Sequence, residues 1–144
     1  MAALPLLLAP LALNVGRVWP TDLNTPSNQL VHAARMGDFA TVRRCFLDHE
    51  MDSLDLDVAL DAAAAHAHFD IVDFLVRFGA TDLETALLSA SARDHVRVAA
   101  YLVSKDRRNP ATNTRQAQTL AANVGAFNCD WMLTAHRWQE FRSS

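Results

Sequence analysis

The side chains of this 144-residue chain that could do chemistry are 6 histidines, 2 cysteines and 16 carboxylates. A metal site would need several of them on one face. His66 and His68 come nearest, but they are two positions apart at a helix end, and residues at that spacing do not share a helical face. His32, His49 and His136 are isolated, and no H-E-x-x-H occurs. Cys45 and Cys129 belong to different parts of the chain, with no CxxC between them. They are expected in separate helices too far apart to bridge, buried and reduced, where an apolar setting keeps a thiol protonated and inert. Asp70 and Asp73, three apart on one helix, are expected on a solvated face; a catalytic pair would need an apolar cleft to tune it. There is no G-x-S-x-G, no P-loop and no G-x-G-x-x-G. The expectation is therefore no catalytic residue, no cofactor and no metal. A small metal-binding or enzymatic helical domain around His66 and His68 is kept as an alternative.

Charge narrows the partners. The formal net charge is −3 and the pI about 6.0. Arg43-Arg44 and Lys105 to Arg108 are the dense basic spots, with carboxylates beside both, so the basic stripe that nucleic acid demands is missing. The run Asp52, Asp55, Asp57, Asp61 is expected to form a solvated loop with helix N-cap residues.

The elements that would position these groups are helices. Hydrophobic residues make up 51% of the chain, with only 4 Gly and 5 Pro, too few turns for an all-β fold. A pattern also recurs. Small pairs Ala33-Ala34, Ala63-Ala64, Ala90-Ser91 and Ala121-Ala122 each precede a turn position three residues on: Gly37, Ala67, Asp94 and Gly125. The turn positions are spaced by 30, 27 and 31 residues, the period of stacked supersecondary units that bury their apolar faces only against one another. First helices are expected over 29–36, 58–66, 85–92 and 115–124, and second helices over 39–49, 69–78, 96–103 and 127–141. Ser27 or Asn28 is the expected N-cap of the first helix, and Ser104 to Asn113, with Asn109-Pro110, a polar loop. Phe69, Phe74, Leu75, Val98 and Leu102 should be buried between units. Trp131 and Trp138, seven apart and so on one face, should close the end of the core.

Leu60, Ala63-Ala64, Ala67, His68-Phe69, Ile71-Val72, Leu75-Val76 and Gly79-Ala80 fall, in order, on the pattern L-x-x-A-A-x-x-G-H-L-x-[IV]-V-x-x-L-[LV]-x-x-G-A, with Ala67 standing in for the glycine and Phe69 for the leucine. Thr85-Ala86-Leu87-Leu88 is similar to a worn T-P-L-H, followed by Asp94-His95-Val96. On these residues the chain resembles a degenerate ankyrin-repeat protein from about Asn28 onward. The resemblance is specific in the second unit and weaker in the first and fourth. It implies an all-α, ankyrin-like solenoid of about four short helix pairs, with stunted fingers because the spacing falls below 33. It also implies structural roles for His68 and His95, which begin second helices.

Two segments divide the chain: 1–28, an apolar N-terminal arm and extended connector, and 29–144, the repeat domain. The resemblance places partner binding on a concave face of first-helix residues: His32, Arg35, Met36; Ala62, Ala65, His66; Ser89, Ala92, Arg93; and Leu120, Asn123, Val124. Packing between units is an equal reading of the alanines. Leu6, Leu7, Leu8 and Leu11 in the arm are further candidates for a protein partner or for peripheral lipid contact. Pro5 and Pro10 interrupt the arm, and it is shorter than the ~20 apolar residues a membrane span needs. The expected function is a non-catalytic protein-interaction module, an accessory subunit of a larger complex, intracellular and either mitochondrial or cytoplasmic. The alternative is an exported ankyrin-like effector whose apolar segment is a signal.

Overall fold

The computed structural model describes residues 25–106 and 110–143. The expectations for the arm, including Leu6, Leu7, Leu8 and Leu11, lie outside these residues. Among the described residues the chain is all-helical, with no strand. Its helices are α1 (Pro26–Met36), α2 (Phe39–Asp48), α3 (Ser53–Ala65), α4 (Phe69–Arg77), α5 (Leu83–Ala92), α6 (Val96–Lys105), α7 (Pro110–Val124) and α8 (Phe127–Ser143).

The helices are paired by one repeated turn. The N–H of residue 38, 68, 95 or 126 donates to the carbonyl of Ala33, Ala63, Ala90 or Ala121, at 2.9, 3.0, 2.9 and 2.8 Å. Each is the long bond that closes a Schellman ending. Such an ending needs a left-handed residue, and the four turn positions supply it: Gly37 (φ 80°), Ala67 (φ 61°), Asp94 (φ 62°) and Gly125 (φ 80°). Ala67 and Asp94 carry a β-carbon there, at a cost of about 1–2 kcal/mol each that glycine avoids.

The odd helices α1, α3, α5 and α7 pack each against the next, and each also packs against the helix that follows it in the chain. Small residues allow that approach: Ala33, Ala34, Ala59, Ala63, Ala64, Ala86, Ala90, Ala117 and Ala121 are buried. Even helices α2, α4, α6 and α8 meet along larger side chains. Leu75, Val98, Leu102 and Leu133 lie in the core. Phe69 and Phe74, expected to be buried, are half-buried instead. Their rings sit at the rim between even helices, edge-on to Tyr101 and to Phe39, with centroids 5.2 and 5.4 Å apart.

Several boundaries differ from expectation for local reasons. α1 begins at Pro26, capped by Thr25 Oγ1, which accepts from the Asn28 N–H at 3.3 Å. Proline suits the first helical position because its missing N–H would go unused there. Pro110 likewise opens α7, so Pro110 to Asn113, expected in a polar loop, are helical, as are Ser104 and Lys105 at the end of α6. The acidic run is no loop: Asp55, Asp57 and Asp61 lie within α3, and Asp52 caps it.

Trp131 and Trp138 do share a face of α8, but it faces outward. They are 75% and 63% exposed. Ala126, Cys129 and Leu133 supply the buried side at this end of the chain, so the indoles do not close the core.

Candidate protein-interaction surface

The polar groups considered for chemistry join one helix pair to the next. His68 Nε2 lies 3.0 Å from the Arg35 carbonyl, and His95 Nε2 lies 3.0 Å from the Ala65 carbonyl. A carbonyl only accepts, so Nε2 carries the proton in both. Each imidazole thus starts an even helix and ties it to the last turn of the odd helix in the preceding pair. This matches the structural role expected for both histidines. Ala126 occupies the same slot at the last pair and cannot reach. There the direction reverses: the Asp94 carboxylate accepts from the Cys129 N–H and from Asn128 Nδ2, each at 2.8 Å. The backbone bond from Cys129, with that from Asn128, holds the Asp94 carboxyl below its ordinary value. The acid at turn position 94 was visible in the sequence, but its forward reach was not.

The acidic run does similar work. Asp57 accepts from the Thr81 N–H (2.6 Å), the Thr81 hydroxyl (3.0 Å) and the Asp82 N–H (3.0 Å). Asp82 in turn caps α5, accepting from the Thr85 N–H at 3.1 Å. Asp61 accepts from the Ser89 hydroxyl. Asp73 accepts from the Tyr101 hydroxyl at 2.6 Å and from Arg77 Nε at 3.1 Å. The Tyr101 bond is the main reason the Asp73 carboxyl is held down. Burial, then the Asp73 carboxylate, push Tyr101 up to about 12. Asp70 accepts from the Ile71 N–H at 3.0 Å, so the two acids make separate structural contacts. Cys45 and Cys129 are buried free thiols. Burial raises both, Cys129 to about 12. No group of three or more His, Cys, Asp or Glu residues able to hold a metal occurs among the described residues.

The residues expected to meet a partner divide by position. Arg35, Met36, His66, Arg93, Asn123 and Val124 are exposed; His32, Ser89, Ala92 and Leu120 are half-buried; Ala62 and Ala65 are buried. Met36, His66, Arg93 and Val124 each stand one residue before a left-handed turn position. They form an exposed series with four different chemistries, over a framework whose buried residues are mostly alanine, leucine and valine. Beside Met36 lies a groove of about 390 Å³ lined by Gln29, His32, Ala33, Met36, Asp38, Thr41 and Arg44.

No protein family, curated protein or solved structure matched the chain. Among the described residues no helix is long and apolar enough to cross a membrane.

Proposed function

We propose that this chain is a non-catalytic protein-interaction module: a degenerate ankyrin-like solenoid that presents the ends of its odd helices to another protein. The exposed series Met36, His66, Arg93 and Val124 carries the reading. It sets a thioether, an imidazole, a guanidinium and an isopropyl group at equivalent places on a framework pinned by His68 and His95. Recognition by a rigid surface avoids the ordering cost that a flexible one incurs on binding. The engagement of Asp57, Asp73, Asp94, His68 and His95 in architecture supports a non-catalytic role. Buried free thiols suit an intracellular setting, and an accessory subunit of a larger complex, mitochondrial or cytoplasmic, is the form we favour.

The test is affinity purification of the full chain from its native source, with mass spectrometry of the co-purifying proteins and of the N-terminal peptide. The double variant Met36→Glu, Arg93→Glu should keep its helical circular dichroism and lose the stoichiometric partner. Retention of that partner by the variant would overturn the assignment of the surface.

A further inference from the structure

The register of the helix pairs reveals a second surface, on α8. Asp61 on α3 accepts from Ser89 on α5, and Asp73 on α4 accepts from Tyr101 on α6. Phe39 on α2 meets Phe74 on α4, and Phe69 meets Tyr101, ring edge to ring face. The positions of Phe39, Phe69 and Asp73 therefore look toward the next pair, while those of Ser89, Phe74 and Tyr101 look back. In the last pair the forward positions hold Phe127, equivalent to Phe39 and Phe69, and Trp131, equivalent to Asp73. They are 77% and 75% exposed. Ala122 on α7 is exposed as well, although its equivalents Ala34, Ala64 and Ser91 are fully buried. An end face of a stack is ordinarily polar; this one is aromatic.

We infer that the α8 face is a homodimer interface, in which the α8 helices of two copies of this chain lie antiparallel across a twofold axis. Three observations select a second copy joined face to same face. The first is area. Phe127, Trp131 and Trp138, the last 63% exposed, offer roughly 500 Å² per copy, so the pair reaches the roughly 1,000 Å² that a specific interface needs.

The second is the opposite end of the stack. Its backward positions hold His32 and Arg44 in the groove beside α1. Head-to-tail stacking would strip water from those polar groups to cover Phe127 and Trp131. Joining like faces avoids that cost.

The third is spacing. Phe127, Trp131, Thr134, Trp138 and Arg142 recur every three or four residues along one side of α8. An antiparallel alignment centred between Thr134 and Ala135 sets Trp131 against Trp138 of the second copy. The same alignment sets Phe127 against Arg142 of the second copy, a guanidinium over an aromatic ring. A parallel alignment would instead place Arg142 beside its own copy.

Sedimentation equilibrium of the full chain from about 1 to 200 μM tests this, with tryptophan emission followed over the same dilution. A reversible monomer–dimer equilibrium is expected, with emission moving to shorter wavelength as the dimer forms. Trp131→Glu should weaken association by about 30-fold or more, the scale of an interface hot spot, with circular dichroism unchanged. Trp138→Glu provides the same test should the first variant fail to fold. A chain that stays monomeric at 200 μM, or a dimer that survives both folded variants, would overturn the inference. So would a dimer abolished by deleting residues 2–13 while the chain remains folded, since the arm would then be what joins the copies. A Met36→Glu, Arg93→Glu variant that keeps its partner leaves this measurement untouched, so the two proposals fail separately.

Discussion

His68 stands against the turn at Gly37, its ring filling the space that a β-carbon on residue 37 would occupy. Such a carbon would lie 2.6 Å from His68 Cε1 and 2.8 Å from Nδ1. The turn of one helix pair and the imidazole of the next are thus fitted to each other, and the bond from Nε2 to the Arg35 carbonyl holds the ring in place. Gly125 shares the φ of 80°, but a β-carbon there would meet nothing within 4 Å among the described residues. Gly125→Ala should cost about 1–2 kcal/mol, the price of a left-handed alanine. Gly37→Ala should cost at least about 1 kcal/mol more, because the ring must also move. Urea titration of both variants checks the difference. In a double-mutant cycle with His68→Ala, the excess should disappear.

Leu75 is fully buried in α4. Truncation to alanine should cost about 2–5 kcal/mol, enough to threaten a stack whose units depend on their neighbours. A loss below about half a kcal/mol in denaturant would mean that this helix does not contribute to the core.

The Tyr101–Asp73 bond makes stability pH-dependent at both extremes. Asp73 is held below its ordinary 3.8, so its contribution is complete above that value and is lost as pH falls through the lower folded value. Tyr101 is raised from 10.0 to about 12, so its contribution is complete below 10.0 and fades as pH rises toward 12. Tyr101→Phe should therefore destabilise by about 1 kcal/mol near neutrality, as a half-exposed charge-assisted bond would. The gap from the parent should shrink at both pH extremes. Thermal melts across the pH range measure it, and a gap of constant size would refute the assignment.

Cys45 and Cys129 should resist a thiol reagent at neutral pH in the folded chain and react fully in denaturant, since burial keeps both protonated. Rapid labelling of either in the native protein would contradict the placement of α2 and α8.

The helix pairing was legible in the sequence because it is local. An alanine pair, a turn residue three positions on and a second apolar face fall within one short window, and Ala33, Ala63, Ala90 and Ala121 do accept the same long turn bond. The role of His68 and His95 was legible through resemblance, and their carbonyl partners lie one helix pair upstream. Helix starts were less so. Pro110 read as a loop residue and Pro26 as part of the entrance before a helix at Gln29, yet both open helices, because proline's missing donor costs nothing at a first turn.

What the sequence determined by itself was where helices pair and which of their residues are small enough to approach closely. Only the tertiary structure decided what each outward residue meets. Heptad spacing put Trp131 and Trp138 on one face, but it could not say whether that face turned inward. Ala126, Cys129 and Leu133 took the core side of α8, and the indoles were left outside. Likewise Asp55 and Asp57 read as a loop ahead of the helix expected over 58–66, and the donors that satisfy Asp57 and Asp61 come from Thr81, Asp82 and Ser89. Those residues belong to the segment leading into α5 and to α5 itself. A local window holds the spacing of a face, and the contacts that cover it come from a helix pair farther along the chain.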